Sequence, residues 1–161
     1  VGFLPELRAE GGRLRSGGSK GEEVHAGSFI PKRKIVLESG LAGHPRELAR
    51  VLIHELFHFV WLRAGNPLRR SYELLLQAEM DRRAKGELGW SAESRKRSLT
   101  AADRRLRSRR WREYVCESFC DSAAWLFAGL GAHDEFTLAR RFRLARRAWF
   151  EHAFDKDEIS I

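Results

Sequence analysis

The sequence predicts an α+β fold that is mainly helical, with a small N-terminal β-sheet packed on one motif-bearing helix. Three observations carry this. Short β-prone segments bounded by Gly and Pro precede Pro45. After Pro45, apolar residues recur at helical spacing. With 161 residues, 43% of them hydrophobic, and 5 Trp and 10 Phe, the chain suits one packed domain over residues 1–161 and is too apolar and aromatic for a disordered one.

Residues 1–22 carry mixed signals. Leu4-Pro5-Glu6-Leu7-Arg8 could open a short helix. Gly11-Gly12 and Ser16-Gly17-Gly18-Ser19 break the pattern around Arg13-Leu14-Arg15, so the stretch reads as strand or loop at an edge. Glu23–Ile30 and Arg33–Glu38 flank a Pro31 turn and read as a hairpin, the second segment being the more strand-like. Ser39–His44 reads as a loop. A helix follows from Pro45, which suits a first turn, to Arg63, with Gly65-Asn66-Pro67 as its stop. A second helix is expected over Arg69–Lys85, an irregular stretch over Glu87–Ser98 with Ser91 as a candidate cap, and a long helix from the capping box Thr100–Asp103 to Ala128. A last helix over Glu135–Phe154 precedes a frayed tail, Asp155–Ile161.

Composition narrows function. The net charge of +8 and pI near 10.2 allow contact with nucleic acid. The Arg-rich run Arg95–Arg112 has only Trp111 interleaved, which supports a solvated helix face over base stacking. No apolar stretch reaches membrane-spanning length. The two cysteines, Cys116 and Cys120, stand one turn apart. They do not suit a secreted disulfide scaffold and are expected to pack as small apolar groups, a reducing cytoplasm being the expected location. The chain opens on Val1 rather than Met, so this stretch decides nothing about an upstream signal.

The chemistry concentrates at His54-Glu55-Leu56-Phe57-His58. On a helix, His54 and His58 project from one face one turn apart and can bind one zinc ion. Glu55 then stands beside the ion, where it can take a proton from water. Such a site needs a third protein ligand. Glu117 is the strongest candidate, because it lies in the apolar helix Tyr114–Trp125, where a carboxylate is costly without a strong partner. Asp121 follows it by one turn and can hold the other ring nitrogen of His54 or His58.

His54-Glu55-x-x-His58 with a later Glu117-x-x-x-Asp121 resembles the gluzincin clan of zinc metallopeptidases, and within it the minigluzincins and the ImmA/IrrE-type family. The resemblance runs loosely from Arg33 to Phe127 and is firm at the two motifs. It implies a zincin-like fold with a second ligand-bearing helix, Zn2+ as cofactor, and a peptide or protein as substrate. By family role, His54, His58 and Glu117 are the ligands, Glu55 is the general base and Asp121 orients a ligand His. The edge strand that borders the cleft in such folds corresponds to Ile35, Val36 and Leu37, with which an extended peptide could pair. Here the segment between His58 and Glu117 is longer than usual and holds an extra helix. No motif fixes the residue that stabilises the transition state: Tyr114 is the first choice, with Tyr72, His133 and His152 behind it. The expected activity is zinc-dependent peptide hydrolysis. The rival expectations are a regulatory zinc protein with a dedicated target or a DNA-associated role, and a latent zymogen whose terminal segment covers the cleft.

Overall fold

The computed structural model describes residues 1–11, 13–18 and 20–154. Among these residues six strands come first: β1 (Gly2–Leu4), β2 (Leu7–Glu10), β3 (Arg13–Ser16), β4 (Glu22–Glu23), β5 (Ala26–Phe29) and β6 (Lys34–Glu38). They form two three-stranded sheets, ordered β1-β6-β5 and β3-β2-β4. The predicted hairpin is β5–β6, joined by a 3-10 turn at Ile30–Lys32 that Arg33 leaves in the left-handed region at φ 47°. Leu4–Arg8 opens no helix. The chain turns there between β1 and β2, with Glu6 at φ 47°.

β6 is not an edge strand. β1 pairs with it in parallel on one side and β5 antiparallel on the other. Ile35, Val36 and Leu37 are 4%, 3% and 0% exposed. Ile35 and Leu37 pack with Leu41, Val51 and Phe59 against the motif helix, while Val36 is buried on the opposite face. An unbroken apolar run of this kind belongs to a strand covered on both faces.

Among the described residues six α-helices follow: α1 (Pro45–Arg63), α2 (Asn66–Asp81), α3 (Trp90–Arg97), α4 (Ala101–Leu106), α5 (Arg109–Phe127) and α6 (Arg140–Phe154). α1 has the expected bounds. Pro67, which stops α1, also opens α2, so α2 starts earlier than Arg69. The stretch expected to be irregular contains α3, and Gly89 rather than Ser91 occupies its N-cap position. The long helix expected from Thr100 is broken in two. Its capping box forms, but Arg107 turns left-handed at φ 49°, and the Ser108 hydroxyl caps α5 by accepting from the Trp111 amide. α6 begins at Arg140, which leaves Glu135 in a connection. The expected frayed tail lies outside the described residues.

α1 and α5 run antiparallel, and their contact positions the site. Phe57, Tyr72, Phe119 and Phe150 pack beside it in one aromatic core. Arg146 of α6 is 0% exposed and is matched by Glu79 and Glu87 at 2.7 Å each. A buried cation is tolerable only with such partners. Among the described residues, no helix is long and apolar enough to cross a membrane.

Candidate metal centre

α1 presents His54 and His58 to Glu117 of α5. Glu117 Oε2 lies 3.3 Å from His54 Nε2 and 3.9 Å from His58 Nε2. One donor atom from each of the three residues falls within 4.8 Å of the others. Nitrogen and oxygen donors about 2.0–2.1 Å from a tetrahedral zinc stand roughly 3.3 Å apart. The set therefore fits such an ion with a small inward movement of His58.

Asp121 supports this set from α5. Its Oδ1 is 2.7 Å from His54 Nδ1, and its Oδ2 accepts from the Ala92 amide at 2.9 Å. The carboxylate thus ties a candidate ligand to the first turn of α3. The approach is close: a Cβ on Gly89 would fall inside the Asp121 carboxylate. Glu135 takes a second amide of that turn, accepting from Trp90 N–H at 2.7 Å, and also accepts from Arg50 of α1 at 3.0 Å.

Glu55 is held from the other side. Its Oε2 accepts from the Ser28 hydroxyl of β5 at 2.5 Å, and its side chain is largely buried. His54 and Glu55 line a cleft of about 380 Å³ together with His25, Ala26, Trp90 and Glu135. Arg95 of α3 reaches the centre as well, with Nη2 3.1 Å from Glu117 Oε1.

The charges are strongly coupled. Burial disfavours the His54 imidazolium, but the Asp121 charge and hydrogen bond, with help from Glu117, outweigh it and hold the His54 pKa well above its usual value. Burial likewise opposes the Glu117 carboxylate, yet His54, His58 and Arg95 hold it down at about 2. His58 is raised against burial, mainly by its hydrogen bond with Cys116.

His54, Glu55, His58, Glu117 and Asp121 are thus brought together. Tyr114 is not. It is 0% exposed, and its hydroxyl donates to Glu87 at 2.6 Å within the buried Arg146 network. Tyr72 is equally buried and donates to the Ser118 carbonyl at 2.9 Å. His152 lies exposed on α6. His133 sits beyond the cleft, 3.2 Å from Glu47. Ile35, Val36 and Leu37 are core residues of the central strand, and the edge strand beside the cleft is β5.

The cysteines pack with the apolar core as expected, and they reach the centre as well. On α5, Cys116 lies about 100° and Cys120 about 60° to the same side of Glu117, so both face His58. Their Sγ atoms are 3.6 and 3.4 Å from His58 Nδ1. The hydrogen bond from Cys120 and the nearby His58 bring the Cys116 thiol down to about 6, against burial. Ser28, Gly89, Arg95 and Glu135 have no motif around them.

Comparison with protein-family models, curated proteins and solved structures returns no match.

Proposed function

We propose that this chain is a zinc-dependent metallopeptidase of gluzincin type. The observation that carries the reading is the convergence of His54 Nε2, His58 Nε2 and Glu117 Oε2 beside a cleft that also holds Glu55. A zinc ion held by these three residues would polarise the scissile carbonyl and acidify water. Glu55 would take the proton of the attacking water and deliver it to the leaving amine. Ser28 fixes the Glu55 carboxylate for that transfer. Asp121 fixes the His54 tautomer, leaving Nε2 free to ligate. Arg95, beside Glu117 and about one-third exposed, takes the part of the cation that steadies developing negative charge, which Tyr114 cannot reach.

The substrate pairs with β5. Its partner β6 binds it through His25 O, which accepts from Glu38 N–H at 2.8 Å. Antiparallel pairs alternate, so the amides and carbonyls of Ala26 and Ser28 point away from β6, and no described strand takes them. An extended peptide added there would lie along the cleft.

The test is Glu55→Gln. The variant should keep stoichiometric zinc and lose peptide hydrolysis by about 10²-fold or more. Turnover at the parent rate would overturn the reading.

A second reading is a regulatory zinc protein that also contacts nucleic acid. It is favoured by the groove beside α4, which Arg70, Lys96, Arg104, Arg105 and Arg107 line. Glu73 and Asp81 already pair with three of these arginines, which leaves it second. Salt-sensitive DNA binding without peptide turnover would favour it. In either reading the chain works in a reducing cytoplasm, where both cysteines remain thiols.

A further inference from the structure

The two nitrogens of His58 face different donors. Nε2 faces Glu117. Nδ1 faces Cys116 Sγ and Cys120 Sγ, at 3.6 and 3.4 Å. These three donor atoms lie within 4.8 Å of one another. Around a tetrahedral ion with metal–nitrogen near 2.0 Å and metal–sulfur near 2.3 Å, a nitrogen and a sulfur stand roughly 3.5 Å apart. Both observed separations fall there. The donor set is soft and suits zinc, cadmium or cuprous ion. Cys120 is fixed at 0% exposure, while Cys116 is only partly buried.

We propose that His58 Nδ1, Cys116 Sγ and Cys120 Sγ form a second cation site, selective for thiophilic metals, that competes with the first through the shared ring. A neutral imidazole offers one lone pair. When a cation binds at Nδ1, the ring proton moves to Nε2, and each thiol releases its proton to solvent on becoming a ligand. Nε2–H then faces Glu117 as a donor, and the first set is left with His54 and Glu117 alone. A thiophilic cation therefore withdraws His58 from the first centre. The competition rests on the proposed use of His58 Nε2 as a zinc ligand, whereas the thiolate site does not.

The test uses Cd2+ and Co2+ as probes of sulfur ligation. The chain has two cysteines, so any thiolate-to-metal absorption band reports on this pair. In the metal-free wild-type chain, Cd2+ should raise a near-ultraviolet thiolate band. His58→Ala should bind Cd2+ at least tenfold more weakly. In His54→Ala/Glu117→Ala, which disables the first set, one equivalent of Co2+ should still bind and show the thiolate band. Absence of the band in wild type, or equal Cd2+ affinity in wild type and His58→Ala, would overturn the proposal. Cobalt bound without sulfur ligation in the double variant would do the same. None of these readouts needs turnover, so they stand apart from failure of the peptidase reading.

Discussion

Asp121 Oδ1 lies 2.7 Å from His54 Nδ1 while the other oxygen of the same carboxylate accepts from the α3 amide of Ala92. Both acceptors are in use. An amide has one acceptor oxygen, so Asp121→Asn must give up either the imidazole or the helix turn. Zinc affinity should fall about 10–100-fold, the usual cost of losing a carboxylate behind a ligand histidine. Competition with a chelator measures it, and wild-type affinity in the variant would refute the role given to Asp121.

The same pair sets a proton count. His54 keeps its proton above the usual imidazole range, because Asp121 and Glu117 outweigh burial. Metal ligation requires that proton to leave. Zinc uptake at neutral pH should therefore release protons, and affinity should drop as pH falls through the raised His54 value. Calorimetry in buffers of different ionisation enthalpy counts them. Asp121→Asn should release fewer.

What could be read in the chain follows from distance along it. His54, Glu55 and His58 fall on one helix, and so do Glu117 and Asp121, so period alone places each set on a face. The partners missed come from other elements. Ser28 reaches Glu55 from a strand, Arg95 reaches Glu117 from a helix in a stretch read as irregular, and Gly89 matters only because Asp121 sits against it. The edge was misassigned because β1, which covers β6, comes from a Gly- and Pro-flanked stretch with almost no strand signal. The long helix before α5 was misread because the charge run hid the left-handed turn at Arg107. Tyr114 was placed on the right helix, one turn from Glu117, but burial turned its hydroxyl to Glu87.

Gly89→Ala tests the packing directly. Its Cβ would meet the Asp121 carboxylate, whereas a Cβ on Gly43 would meet nothing within 4 Å. Gly89→Ala should cost about 1–3 kcal/mol, as overpacking does, and should weaken zinc binding as well. Gly43→Ala should change stability by less than about 0.5 kcal/mol. Denaturant melts with bound-zinc analysis separate the two effects, and a silent Gly89→Ala would contradict the close approach.

Acid stability should depend on Glu87. Burial raises its pKa, but Arg146, Lys96 and Tyr114 hold it down at about 2, from the ordinary 4.5. A carboxylate depressed on folding stabilises the native state fully above its unfolded value and loses that contribution as pH falls through the folded one. Stability should therefore decline between about pH 4.5 and pH 2, with Glu87 contributing on the order of a few kcal/mol. Glu87→Gln leaves buried Arg146 short of a charge and should cost about 3–5 kcal/mol at neutral pH. It should also flatten that acid limb in a series of denaturant melts.

Strand β5 can be tested without touching the metal centre. The Ala26 amide points away from β6, so proline there removes no bond of the sheet, and an edge position tolerates it. Folding and zinc content should survive Ala26→Pro. A peptide added alongside β5 would lose the Ala26 N–H as a main-chain donor and meet the pyrrolidine ring. KM should rise about tenfold, equivalent to roughly 1.4 kcal/mol, with kcat less affected, because the contact binds substrate and transition state alike. Val36→Pro in the central strand should instead abolish folding, since both sides of β6 are paired. If Ala26→Pro hydrolyses peptides with unchanged KM, substrate does not pair with β5.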